Sequence, residues 1–195
     1  MFIKLEGRRC LVVGAGAVAE GKISGLIDAA AKVRVVAPEA TDQVKSWATS
    51  GRIEYHARPY EPTDLEGMFL VVAATDSHEL HENIHAEARR RGVLCNVVDV
   101  PELCDFYYPA VVQRGALQIA VSTSGRSPAL AQRLRKELEE RFGPEYEAWL
   151  QQLGEERKKL FAANMDPEER KRLLHDLASA DALKSLSRKR KRAKK

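Results

Sequence analysis

Leu11-Val12-Val13-Gly14-Ala15-Gly16-Ala17-Val18-Ala19-Glu20-Gly21-Lys22 joins an apolar run to an alanine-rich segment through two closely spaced glycines. The run from Cys10 to Val13 has no polar alternation and reads as a parallel strand covered on both faces. Gly14 and Gly16 let the backbone turn sharply and come close to a ligand. Ala19 stands at the third position of a G-x-G-x-x-G/A pattern, where a small residue lets the next helix pack tightly on the strand. That helix would open with free N–H groups and the positive end of its dipole above the loop, a setting that suits a pyrophosphate. The glycine pattern alone is weak, and its position between an apolar strand and a helix strengthens it. The same residues could also make a strand-turn-helix with no ligand.

Moving outward, helix and strand signals alternate. A helix is expected over 17–30, with Ile23, Leu26 and Ile27 inward, then a strand over 32–37. Pro38-Glu39 closes that strand. An acid about 20 residues past the glycines bonds the ribose hydroxyls in dinucleotide folds. Glu39 is the nearest candidate, and a carboxylate there favours NAD over NADP by repelling a 2′-phosphate. Glu39 could equally be a helix-start charge. A helix follows over 41–50, a short strand over 53–56, and a turn or short helix after Tyr60-Glu61-Pro62. The apolar stretch 67–74 is the next strand. Thr75-Asp76-Ser77 ends it and caps a helix over 79–91, whose core stripe is Leu80, Ile84 and Ala88. Gly92 ends that helix, and 94–98 is a further strand. This order predicts an α/β fold with a mostly parallel, Rossmann-like, doubly wound sheet. Ligands in such sheets lie beyond the C-terminal strand ends, here Gly14 to Val18, Pro38-Glu39, Ala74-Thr75-Asp76 and Asn96 to Asp99.

Two apolar runs, 107–112 and 117–121, flank a hairpin-like turn at Gln113 to Gly115. Ser122-Thr123-Ser124-Gly125-Arg126-Ser127-Pro128 precedes a helix over 129–142, with Ser127 as N-cap and Pro128 at the first helical position. Gly143-Pro144 breaks it. From Glu145 the chain is helical and charged, with no strand expected after Val121.

The chain has 195 residues, enough for one α/β domain and an appendage. It contains no apolar run long enough for a transmembrane helix, and charges near its start interrupt any signal peptide. Three cysteines give no disulfide framework, so a reducing cytoplasm is the expected compartment. Residues 188–195 hold seven Lys or Arg and no acid, which leaves −3 for the rest of a chain whose net charge is +4. Such a tail reads as a solvated run of charge. Its functional alternative is non-specific attraction to nucleic acid, weakened by the lack of an aromatic residue to stack on bases.

Asp99 is the first candidate for catalysis. It follows a buried strand in Asn96-Val97-Val98-Asp99-Val100-Pro101, beside the expected cofactor crevice, where a carboxylate can act as a base or fix a polar substrate. A turn carboxylate bonded to local backbone is the plainer reading. Ser122, Thr123, Ser124 and Ser127 form a hydroxyl-rich loop at a helix N-terminus, with Arg126, Arg133 and Arg135 nearby. This suits an anionic substrate, although Ser127 also reads as a simple cap. His78, His81 and His85 share one helical flank, which raises a metal site. Glu79 and Glu82 argue instead for a wet outer face, and no metal site is expected. Cys95 and Cys104 flank Asp99 without zinc-knuckle spacing, and Cys95 reads as a small core residue.

Several blocks together resemble the precorrin-2 dehydrogenase family, which includes the N-terminal module of siroheme synthases. They are Gly14 to Lys22, Ala73 to Asp76, Cys95 to Asp99, Pro101, Phe106 to Pro109 and Ser122 to Ala131. The resemblance spans about residues 1 to 150, and its Asn-Val-Val-Asp and Ser-Gly-x-Ser-Pro-x-Leu-Ala blocks are the specific parts. It implies NAD-dependent oxidation of precorrin-2, a polycarboxylate tetrapyrrole, to sirohydrochlorin. It implies Asp99 as the catalytic aspartate, and cofactor contacts at Ala17, Val18, Pro38 and Glu39, to which the strand-end argument adds Gly14, Gly16 and Thr75. It places Thr123 where some relatives carry a serine involved in substrate handling and open to phosphorylation, and the anion-site reading of the same loop adds Ser124 and Arg126 as substrate contacts. It further implies a homodimer, with the segment after the Rossmann domain forming the interface and part of the active site. The expected division is a Rossmann domain over 1–113, a dimerisation segment over 114–144, a helical domain over 145–187 and a basic tail over 188–195. In the implied mechanism a hydride leaves a reduced ring carbon for the nicotinamide while Asp99 takes or relays the proton. Two rival readings use the same residues. One is a dehydrogenase that also inserts iron or cobalt, with Asp99 deprotonating pyrrole nitrogens. The other is an NAD-sensing regulatory module, which would need neither the Asp99 block nor the hydroxyl loop.

Overall fold

The computed structural model describes residues 2–179 and Asp181. The basic stretch 188–195 lies outside the described residues. Two compact units divide the chain, Met1–Tyr107 and Tyr108–Lys195.

Five parallel strands build the first unit: β1 (Arg9–Val13), β2 (Lys32–Val36), β3 (Glu54–His56), β4 (Leu70–Ala73) and β5 (Leu94–Val97). Their order across the sheet is β3-β2-β1-β4-β5, so β1 is central. Cys10 and Val12 face one layer and Leu11 and Val13 the other, and all four are buried. The first layer holds Ala19, Ile23 and Leu26 of α1 (Ala17–Asp28) and Val44 of α2 (Asp42–Thr49). The second holds Ile84 and Ala88 of α3 (His78–Arg91), with Leu65 and Met68. Covering both faces explains the unbroken apolar runs of β1 and β4.

Local chemistry sets the element ends. Thr41 Oγ1 accepts from Val44 N–H at 3.4 Å and Ser77 Oγ accepts from Leu80 N–H at 3.3 Å, which caps α2 and α3. Gly92, at φ +69, ends α3 in the left-handed conformation. The sheet ladder of β4 begins at Leu70 rather than at residue 67, because Met68 N–H is turned back to Leu65 O. Helix α1 stops at Asp28, and Ala30 takes a positive φ of 56° instead of extending it.

The second unit opens with an antiparallel hairpin, β6 (Ala110–Arg114) and β7 (Leu117–Val121), turned at Gly115. β6 starts later than the apolar run, which contains Pro109, a residue with no N–H for a ladder. Three helices follow: α4 (Pro128–Arg141), α5 (Glu145–Ala162) and α6 (Pro167–Leu177). Ser127 caps α4 by accepting from Leu130 N–H at 3.3 Å. Arg114 donates to the carbonyls of Phe142 and Glu139 at 2.8 and 3.1 Å, placing a cation on the C-terminal end of α4. Among this unit's described residues only Val112 and Ala131 are apolar and buried, while Leu130 and Phe161 stay exposed.

Candidate active site

Four loops at the C-terminal edge of the sheet carry the candidate residues of the first unit. The loop after β1 is fixed by backbone bonds: Gly14 N–H donates to Val36 O at 3.0 Å, and Thr41 N–H donates to Ala15 O at 3.1 Å. Gly14 has φ +106, and a Cβ there would lie 2.1 Å from the carbonyl oxygen of Ala74. No other residue type fits this crossing of β1 and β4. Gly16 is the N-cap of α1, with no side chain capping the helix and open space where its own side chain would be. The first turn of α1 therefore presents its N–H end outward beside Val18, which is 60% exposed despite being apolar.

Thr75 follows β4, and its Cγ2 approaches the missing Cβ of Gly14 to 3.3 Å. Its Oγ1 is buried with no hydrogen-bond partner among the described residues. Buried hydroxyls are ordinarily satisfied, so an unpaired one against the glycine loop marks a place where a ligand acceptor or donor belongs. Pro38 and Glu39 lie exposed after β2. Burial and the nearby charge of Glu39 push the Tyr55 phenol above its ordinary value, and its hydroxyl donates to Ala37 O at 3.0 Å. An uncapped helix end, a glycine crossing and an orphaned hydroxyl fit the pyrophosphate and ribose of a dinucleotide.

Asp99 sits on the turn after β5, exposed, with φ +62. A non-glycine residue in that region needs support, and the turn has it. Val98 N–H donates to Ala73 O at 2.9 Å. Cys104 Sγ donates to the carbonyls of Val97 and Val100 at 3.1 and 3.3 Å. The buried Asn96 amide donates to Phe106 O at 2.8 Å, and Cys95 N–H donates to the Asp105 carboxylate at 2.9 Å. Cys104 is thus a bracket for the Asp99 turn. Cys95 is fully buried, in keeping with its reading as a core residue, and burial pushes its thiol up to about 12.

The hydroxyl loop belongs to the second unit. Thr123 Oγ1 accepts from Ser127 N–H at 3.1 Å and Ser122 Oγ accepts from Ser124 N–H at 3.2 Å. Ser124 has φ +51 and Gly125 φ +76, and Ser124 and Arg126 are exposed. The Thr123 hydroxyl therefore already serves the turn.

The histidine flank differs from its expected wet face. His78 is exposed and lies 4.0 Å from Glu82, but His81 is buried, with its Nε2 unpartnered among the described residues. His81 shares the inner side with Ile84 and Ala88, and the acids beside it in sequence point elsewhere. Reading the sequence also missed Lys22, half-buried on α1. Burial pulls the Lys22 ammonium below the ordinary lysine value, against the opposing charge of Asp99. The signal for Lys22 was in the glycine stretch itself, three residues after the small Ala19.

A family model described as "Putative NAD(P)-binding" matches residues 1–110, and one described as "Sirohaem biosynthesis protein central" matches residues 114–141. The chain belongs to the precorrin-2 dehydrogenase family. Its first unit is the NAD-binding domain of that family. Siroheme synthase from Nitrosococcus oceani is 42% identical over 139 residues, 71% of this chain and 30% of the relative. Siroheme synthase from Methylococcus capsulatus is 43% identical over 147 residues, 73% of this chain and 31% of the relative. The chain thus spans about a third of these relatives' length. A solved structure titled "SirC, precorrin-2 dehydrogenase" superposes with a TM-score of 0.83 at 26% identity, covering 98% of this chain and 94% of that one. Among the described residues no helix is long and apolar enough to cross a membrane.

Proposed function

We propose that this protein oxidises precorrin-2 to sirohydrochlorin with NAD⁺, a step of siroheme biosynthesis. The observation that carries this is the likeness to a solved precorrin-2 dehydrogenase along nearly the whole of both chains, through both units.

Gly14, Gly16, Ala17, Val18 and Thr75 would hold the cofactor's phosphates and nearer ribose, and Pro38 and Glu39 its adenosine end. When bound, NAD⁺ supplies the hydride acceptor. Asp99, on its braced turn, accepts the proton released as the ring carbon is oxidised. The loop of Thr123, Ser124 and Arg126 binds the substrate's carboxylates through the exposed Ser124 hydroxyl and the Arg126 guanidinium. The small core of the second unit, with exposed Leu130 and Phe161, supports a homodimer that covers this unit. The free thiols of Cys10, Cys95 and Cys104 support a reducing, cytoplasmic setting for this activity.

The test mixes the protein with precorrin-2 and NAD⁺, anaerobically and without metal. NADH absorbance and the tetrapyrrole spectrum are followed together. Matched formation of NADH and sirohydrochlorin is expected. A folded protein that binds NAD⁺ but gives neither would overturn the reading.

A further inference from the structure

We infer that the ring of Tyr107 is a substrate platform, an aromatic face tied to the Asp99 loop on which the tetrapyrrole macrocycle lies. This role rests on the dehydrogenase reading above and adds a residue to it.

Tyr107 is the last residue of the first unit and is 47% exposed. A lone exposed tyrosine is ordinary on a protein surface, but this one is fixed at both ends. On its backbone side, the peptide bond into Tyr107 is held through Phe106 O, which accepts from the buried Asn96 amide at 2.8 Å. One residue earlier, Asp105 N–H donates to Cys95 O at 2.8 Å, and the Asp105 carboxylate accepts from Cys95 N–H at 2.9 Å. The Phe106 ring packs against the core layer that contains Ala19 and Val44. The chain therefore arrives at Tyr107 anchored to β5. At the far end, the Tyr107 hydroxyl donates to Pro101 O at 3.5 Å, a carbonyl that also accepts from Cys104 N–H at 3.2 Å. Pro101 stands two residues after Asp99.

The chemistry of the loop decides which part of the substrate meets it. A tetrapyrrole is broad and flat, with its carboxylates on the rim. Of the exposed residues from 99 to 107, Asp99, Glu102 and Asp105 are acids, which repel a carboxylate. Pro101 and Tyr107 are the uncharged ones, and they are the two that the hydroxyl bond joins. The loop thus offers the macrocycle an apolar face and leaves the rim to cations elsewhere. A ring already held by its hydroxyl and its backbone gives up little freedom when a flat ligand stacks on it. Stacking there brings the macrocycle to the loop that carries the proton acceptor.

The experiment uses the full chain with Tyr107→Ser, Tyr107→Phe and Tyr107→Trp. Circular dichroism and NAD⁺ affinity confirm that each variant is folded. Tyr107→Ser should raise KM for precorrin-2 about tenfold with kcat within about threefold, the pattern of a contact made equally before and during the reaction. Its affinity for sirohydrochlorin, titrated without NAD⁺ by the pigment's absorbance, should fall by about the same factor. That loss should be equal in low and high salt, because an apolar stacking contact is not screened. Tyr107→Phe and Tyr107→Trp keep an aromatic face and should stay within about threefold of the parent in both measurements. A folded Tyr107→Ser with parental KM and sirohydrochlorin affinity would overturn the platform, as would an equal loss in Tyr107→Phe, which would assign the effect to the hydroxyl. A parent that binds sirohydrochlorin but does not turn over removes the dehydrogenase reading, while the binding difference between Tyr107→Ser and Tyr107→Phe still decides the platform. A parent that does neither removes both.

Discussion

A methyl group at residue 14 would meet the carbonyl oxygen of Ala74 at 2.1 Å, on a backbone with φ +106. Gly14→Ala should therefore cost roughly 3 kcal/mol or more of stability, since steric overlap adds to backbone strain. Urea unfolding with and without NAD⁺ measures it. Gly16, with open space around it, should accept alanine with little loss of stability in the same experiment. Asp99→Ala should reduce turnover by about a hundredfold or more and leave NAD⁺ affinity nearly unchanged. Loss of NAD⁺ binding from a folded variant would remove Asp99 from the catalytic role. Glu39→Ser should weaken NAD⁺ by about tenfold, near 1.4 kcal/mol, and narrow the preference over NADP⁺, as read by calorimetry with both nucleotides. The sequence placed Gly14, Thr75 and Asp99 at strand ends because strand-end position follows from hydrophobic pattern. It could not show that Lys22 is half-buried, because that depends on what α1 packs against. His81 was misread for a related reason. Neighbouring acids say little about a helical residue, since successive side chains point about 100° apart.

At the scale of elements, the 3-10 turn Pro62–Leu65 carries the polar group most buried in the first unit. Asp64 is 3% exposed and accepts two hydrogen bonds from Arg58, at 2.5 and 2.8 Å, and one from Glu61 N–H at 2.9 Å. Burial pushes its carboxyl up, but the Arg58 hydrogen bond, the Glu61 N–H and the Arg58 charge outweigh this and hold it below the ordinary value. The folded form is thus the stronger acid. Its contribution to stability is present above the unfolded carboxylate value, near 4, and fades as pH falls through the lower folded value. Asp64→Asn should flatten the acid side of the stability curve, and Asp64→Ala should destabilise the fold at neutral pH by removing the acceptor of both Arg58 and Glu61 N–H. Thermal melts between pH 3 and 7 check both, where an unchanged acid slope in Asp64→Asn would contradict the assignment. Tyr60-Glu61-Pro62 signalled a turn or short helix at this point, and a turn is present. The Asp64–Arg58 bond was not legible, because a charged pair six residues apart in a loop has no periodic signature. Strand ends shifted for local reasons of the same kind, such as Met68 N–H bonding to Leu65 O ahead of β4.

For the molecule as a whole, the doubly wound sheet was readable from the alternation of apolar strands with amphipathic helices. Parallel strands need crossovers, and the helices had only to be assigned to faces. The second unit was legible as a hairpin and helices, but its sparse core was not, because burial there depends on what the unit packs against. Sedimentation velocity should give a dimer at micromolar concentration, and Leu130→Glu should shift it toward monomer. Removing residues 188–195 takes the net charge from +4 to −3. The shortened protein should lose retention on heparin while keeping NAD⁺ affinity and turnover, and a fall in turnover would give the tail a part in the enzyme. The central place of β1 also bears on how the chain is made. Cys10 pairs with Val33 on one side and with Leu70 on the other. On a ribosome, β1 emerges first and finds β2 early, yet its second edge waits for β4. Until then an apolar strand edge is open to neighbouring chains, and Gly14 has no Ala74 to close against. Synthesis must run past β4 before the cofactor loop acquires its shape. Nascent chains stopped before residue 70 should therefore be protease-sensitive and indifferent to NAD⁺, while chains released beyond β5 gain protection from it.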